Sequence, residues 1–246
     1  MLVTELLRQL AERYETADFI QGDPSWFMHQ VQGRDNQEAM AWLASCLSYG
    51  IRTQFMPRIE WLLDRAGGEV DRWVRQGDFE GDVCAGDERC FYRLYTCRQM
   101  NALLRSYQKM LLEYGTMGEY VRRSATDGYT AIEAICRFYR DHGSGGIVPQ
   151  DTVSACKRIC MFLRWMVRNQ SPVDLGLWAD FIDRRTLIMP LDTHVVQQSM
   201  RLNLLHSKSA SMTAARRLTE AMCKVFPDDP LRGDFALFGL GVDPLT

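Results

Sequence analysis

The chain contains no apolar stretch approaching the roughly 18 residues that a membrane-spanning helix requires, so a helical membrane protein is excluded. Glu5 and Arg8 interrupt its first residues, which therefore lack a signal peptide's apolar core, and a cytoplasmic location is expected. No repeat and no low-complexity tract is visible. Cysteine is plentiful at eight, but Cys84, Cys90 and Cys97 show no C-x-x-C spacing and no neighbouring histidine, so no zinc site is expected there. Cys46, Cys136, Cys156, Cys160 and Cys223 lie in apolar or helical contexts that suit reduced, structural thiols. With 46% hydrophobic and 24% charged residues over 246 positions, the chain is neither disordered nor a disulfide-stapled miniprotein.

No charge sign dominates. The 29 basic and 31 acidic side chains nearly cancel, which argues against an indiscriminate nucleic-acid coat. The distribution is uneven, however. Residues 1–149 carry a net charge of −4, residues 150–220 a net charge of +4, and residues 221–246 a net charge of −2. A local positive face is all that a phosphate backbone requires, although a solvated helical face has the same composition.

Helical periodicity fills most of the chain, and strand signals are scarce. Leu2, Leu6, Leu7, Leu10 and Tyr14 share a face of a first helix. Asp35 to Glu38 reads as an N-cap and capping box for a helix carrying Met40, Leu43, Cys46 and Leu47. Further helices are expected near 54–66, 99–114, 130–141, 155–168, 193–204, 212–225 and 230–239, the last opened by Asp229-Pro230. Only Cys90 to Tyr95 reads as extended, and it suits a helix start equally. The clearest break is Gly143 to Gly146 followed by Pro149. An all-α fold is expected.

The segment from Thr152 to Arg168 is the most informative. Its apolar face holds Cys156, Ile159, Cys160, Leu163, Met166 and Val167, with Lys157, Met161, Arg164 and Arg168 on an adjacent face. A cap at Thr152 or Ser154 would place Lys157 near the positive end of the helix dipole, which disfavours an ammonium. A lysine whose proton is loosened in this way, with Arg158 and Arg164 nearby, is a usable amine nucleophile, and the same position equally serves a phosphate-binding lysine. Asp192 precedes a new apolar periodicity and reads as the N-cap of helix 193–204. A capping carboxylate is held ionised by backbone N–H groups and can also act on a substrate. His194 alone reads as a structural histidine.

Cys156-Lys157 with Phe162-Leu163-Arg164, and Pro190 to Val195 followed by Arg201-Leu202, resemble two motifs of the helix-hairpin-helix DNA glycosylase superfamily. The first is similar to the second hairpin helix of the short bacterial and archaeal 8-oxoguanine DNA glycosylase/lyases, and the second to the superfamily's catalytic-aspartate motif. Leu43 to Gln54 and Asp234 to Gly239 resemble the early base-pocket helix and the closing helix. The whole arrangement also resembles an uncharacterised bacterial family known mainly as a domain of unknown function. This likeness implies one two-lobed helical domain over 1–246, with a catalytic segment at 150–205 and the active site between lobes.

By the same resemblance Lys157 is the Schiff-base nucleophile and Asp192 the essential aspartate of a base-excision enzyme. Tyr49, Trp42, Phe162 and Trp165 are candidates for stacking on a flipped base, each with a core role as its alternative. Arg158, Arg164, Arg168, His194, Lys208 and Ser209 are candidates for phosphate contact. The implied partner is double-stranded DNA with a damaged base, acted on by a monomer. No cofactor and no metal are implied, and with only Cys223 near the C-terminus the four-cysteine iron–sulfur cluster of the endonuclease III branch is absent. Val148 to Ser154 stands where the superfamily has a glycine-rich hairpin, and Lys157 and Asp192 are 35 positions apart. A catalytically silent DNA-binding module of the same fold and a helical protein-interaction adaptor are the other readings.

Overall fold

The computed structural model describes residues 2–242. The fold is all-α apart from one two-stranded hairpin. In chain order the elements are α1 (Val3–Tyr14), α2 (Arg34–Leu47), α3 (Arg52–Arg65), α4 (Val70–Gln76), β1 (Cys90–Tyr92), β2 (Tyr95–Thr96), α5 (Cys97–Tyr114), α6 (Met117–Ser124), α7 (Gly128–His142), α8 (Lys157–Val167), α9 (Thr193–Arg201), α10 (Met212–Val225) and α11 (Arg232–Val242), with short 3₁₀ turns between some of them. The chain divides into two compact units, one of residues 1–23, 126–132 and 152–246, the other of residues 24–125 and 133–151.

In the second unit α2 is buried from Glu38 to Leu47 and lies against the 3₁₀ turn Pro24–His29 and against α3 and α4. The expected capping box at its start does not form, because Gly33 is the N-cap and no side chain caps the helix. Glu38 is instead a buried carboxylate that accepts from the backbone N–H groups of Met117 (2.7 Å) and Gly118 (3.1 Å) at the start of α6. A carboxylate there satisfies two orphan donors and the helix dipole together. Asn36 bridges to the Gly68 carbonyl (2.6 Å) and the Asp71 N–H (3.2 Å). Cys90 to Thr96 forms the antiparallel β1–β2 hairpin, pairing Cys90 with Thr96 and Tyr92 with Tyr95. The capping box of α5 is made by Thr96 and Gln99.

In the first unit α11 lies against α1 and α9. Small residues allow this approach. A side chain at Gly239 would collide with the Tyr14 ring and one at Gly241 with the His194 ring. Helix α8 is buried along its whole length from Ile159 to Val167, so it is wrapped on every side.

Candidate active site

Helix α8 opens with an unusual turn. Cys156 takes a left-handed conformation (φ 47°), which costs a non-glycine residue about 1 kcal/mol, and no side chain caps the helix. Lys157 is therefore its first residue, with three uncapped turns of dipole behind it. Ser154, expected as a cap, accepts from the Cys156 N–H (3.4 Å) instead. The segment is held by an antiparallel bridge between Ser154 and Ser211, in which the Ala155 N–H donates to the Ala210 carbonyl (3.1 Å) and the Met212 N–H to the Val153 carbonyl (3.3 Å).

The start of α9 meets the start of α8. Asp192 caps α9 as the sequence predicts, its Oδ1 accepting from the Val195 N–H at 2.9 Å. Its other oxygen, Oδ2, faces the Lys157 ammonium position at 3.9 Å. This distance permits ion pairing but is too long for a hydrogen bond, so the carboxylate does not consume the amine. Both side chains are half-buried, with 31% of Lys157 and 41% of Asp192 exposed. Two residues 35 positions apart are thus brought together at two helix heads within the first unit.

Burial pushes the Lys157 amine below an ordinary lysine, with Arg158 acting in the same direction, while Asp192, Asp234 and Asp23 partly offset the shift. Burial likewise pushes the Asp234 carboxyl up, against the pull of Arg164. A stability consequence follows for Lys157. Because its folded value lies below its unfolded one, the unfolded chain holds more protons between the two, and stability rises with pH across that window. Lys157→Met removes this slope. The variant is expected to be more stable than the parent near neutrality, with the gap closing as pH rises toward the ordinary lysine range, as denaturant melts at two pH values would show.

The other predicted site residues divide clearly. Arg164 and Arg168, expected at phosphates, are 3% and 1% exposed and are committed to carboxylates. Arg164 pairs with Asp174 (3.2 Å) and Asp234, and Arg168 with Asp174, Glu15 and Asp229 (2.8 Å). They brace α8 from within and offer nothing to DNA. Phe162 and Trp165, expected to stack on a base, are fully buried in the first unit, where Phe162 meets Trp178 edge-on at 5.2 Å. Trp42 is buried in the second unit and stacks on Tyr139 at 5.3 Å. Their core alternative holds, since none presents a ring face to a ligand.

Tyr49 in the second unit is 40% exposed. Arg158 is half-buried beside Lys157 on α8, and His194, Lys208 and Ser209 are exposed. From Thr193 to Thr219 the sequence has no acidic residue. Sequence reasoning missed Asp234 and Asp23 as neighbours of the lysine. Asp234 had a signal, because it stands within the first turn of α11.

A family model described as a protein of unknown function (DUF2400) matches residues 23–243. The chain belongs to that family. The matched residues fall in both units and run from α2 to α11, Lys157 and Asp192 among them. No curated protein and no solved structure matches the chain. Among the described residues no group of three or more His, Cys, Asp or Glu side chains is placed to hold a metal ion, and no helix is long and apolar enough to cross a membrane.

Proposed function

We propose that this DUF2400 protein is a DNA glycosylase with associated lyase chemistry, acting on an oxidised base, 8-oxoguanine first among them, in duplex DNA. The observation that carries this reading is the 3.9 Å approach of Lys157 Nζ to Asp192 Oδ2 at two helix heads, with the amine held below its ordinary proton affinity. An amine nucleophile and a carboxylate that stabilises positive charge are what cleavage of an N-glycosidic bond requires. The stacked base must first leave the helix, since the sugar carbon is otherwise shielded.

The steps then balance. The glycosidic bond breaks, its electron pair leaves with the base, and the Asp192 carboxylate faces the cationic sugar. The neutral Lys157 amine forms a bond to C1′ and loses a proton, the base takes up a proton, and the sugar opens to an imine. Loss of a C2′ proton breaks the bond from C3′ to its phosphate oxygen, and water releases the lysine. Half-buried Arg158 and the exposed Lys208 and Ser209 contact the phosphates in this reading.

Borohydride trapping tests it. The imine of a duplex containing 8-oxoguanine, uracil or an abasic site is reduced to a stable amine, so a covalent protein–DNA adduct accumulates. The expected result is an adduct on the 8-oxoguanine duplex that disappears in Lys157→Gln. Its rate is expected to climb with pH through the lysine's titration and to level off below the range of an ordinary lysine, because only the neutral amine attacks. No adduct on any duplex, together with salt-sensitive binding, would leave a silent DNA-binding module. The chain has only four lysines, Lys109, Lys157, Lys208 and Lys224, so peptide mapping of the adduct assigns the attacking residue directly.

A further inference from the structure

In the second unit, α3 and the β1–β2 hairpin enclose an open groove of about 540 Å³, lined by residues that include Gln54, Arg58, Trp61, Phe91 and Arg93 and containing no carboxylate. The arginines around it fall into two kinds. Arg65 pairs with Asp82, Arg89 with Asp87 and Arg98 with Glu88. Arg58 and Arg93 pair with no carboxylate among the described residues and sit over rings, the Arg58 guanidinium carbon 6.0 Å from the Phe91 centroid and that of Arg93 5.1 Å from the Tyr49 centroid. Trp61 meets Phe91 edge-on at 5.5 Å.

The hairpin turn that carries Arg93 is tied to the turn before α3. Arg93 takes a positive φ of 52° at the hairpin turn, one of three non-glycine residues to do so among the described residues. The Tyr92 hydroxyl donates to the Tyr49 carbonyl and ties the hairpin to the turn before α3. Gly50 in that turn has a φ of +93°, and any side chain there would run into the Arg93 guanidinium. Beside it stand exposed apolar side chains, Tyr49, Ile51 (59%) and Leu94 (75%). Exposed apolar groups set among unpaired cations mark a surface that is covered in use.

We infer that this groove and its rim form a docking surface for an unpaired nucleic-acid strand. Phosphates complement the two unpaired guanidinium groups, and unstacked bases have the flat apolar faces that Tyr49, Trp61 and the guanidinium planes accept. A duplex offers the phosphates but keeps its base faces stacked, and an acidic peptide offers the charge without the faces. Every residue in this inference belongs to the second unit, and the inference requires no covalent chemistry at Lys157.

Fluorescence anisotropy with a labelled mixed-sequence DNA single strand tests it, against three competitors: the matched blunt duplex, a base-free abasic strand of the same length, and polyglutamate. The single strand is expected to bind tightest. Tyr49→Ala is expected to weaken it about tenfold, and Arg58→Ala with Arg93→Ala to lower the slope of log affinity against log salt by about two. All three positions are at the surface, and unchanged thermal melts would show that the variants fold. Equal competition by the duplex, the abasic strand or polyglutamate would overturn the inference, as would full affinity in the triple variant. No borohydride enters this measurement, so a chain that forms no adduct still tests the groove, and a chain that forms one without needing the groove separates the two readings.

Discussion

Replacing Arg168 with methionine is expected to destabilise the protein by about 3–5 kcal/mol, the cost of leaving a buried charge without its partner. Arg168 is 1% exposed, and all of its guanidinium nitrogens are engaged. Nε donates to Asp229 at 2.9 Å, Nη2 to Asp229 at 2.8 Å and to Glu15, and Nη1 to Asp174. The cluster around it sets Arg164, Arg168 and Arg232 against Glu15, Asp174, Asp229 and Asp234. Removing one cation leaves four carboxylates facing two guanidinium groups, and the Asp174 side chain is wholly inaccessible to water.

The pH dependence has a definite sign. Burial already pushes the Asp174 carboxyl up against the pull of Arg164 and Arg168. Losing Arg168 pushes it further, so the variant's folded state takes up a proton that the unfolded chain has released. Stability of this kind is present at low pH and lost as pH rises through the raised value. The deficit of Arg168→Met is therefore expected to narrow on acidification, and a second change of Asp174→Asn is expected to restore part of it at neutral pH. Urea melts of the parent, the two single variants and the double variant check both points. A deficit below about 1 kcal/mol would put the cluster in the class of solvated surface pairs.

This cluster explains which features the sequence could reveal. Periodicity places Arg164 and Arg168 beside the apolar stripe of an amphipathic helix, and the resemblance makes them candidates for phosphate contact. Helix α8 has no solvated face, and its partners are remote, with Glu15 lying 153 positions away from Arg168 and Asp234 70 positions from Arg164. Local periodicity carries no information about such pairs, and the positive balance of residues 150–220 was partly spent inside the core. The local caps expected for α2 and α8 do not form, whereas the cap of α9 was legible, since Asp192 needs only the backbone three residues on. The cap of α6 was not, because Glu38 reaches it from 79 positions away. The two short helices α4 and α6 escaped notice for a related reason. At 7 and 8 residues each is too brief for its periodicity to stand out, and tertiary packing holds it. Lys157 and Asp192 stood out singly, by their places at helix starts and by the resemblance, while their 3.9 Å approach is a tertiary feature that local sequence does not carry.

Asp192 has two jobs, and Asp192→Asn is expected to separate them. Its Oδ1 caps α9 through the Val195 N–H, while Oδ2 faces Lys157. Asparagine caps a helix about as well as aspartate, so this variant keeps the first job, whereas alanine loses it at a cost of about 1 kcal/mol. Only the carboxylate carries the charge that faces a cationic sugar, so both variants lose the second. The expected pattern is an adduct rate lowered at least about a hundredfold in both, with a fall in stability only in Asp192→Ala. Removing the carboxylate also withdraws one of the groups that hold a proton on Lys157. The lysine therefore titrates lower still in Asp192→Asn, and the pH at which its residual rate levels off is expected to fall below that of the parent. A merely capping aspartate would leave the rate on the high-pH plateau where it was once the cap was preserved. Full adduct formation by Asp192→Asn would confine the residue to capping, and the lysine would then have to act without it.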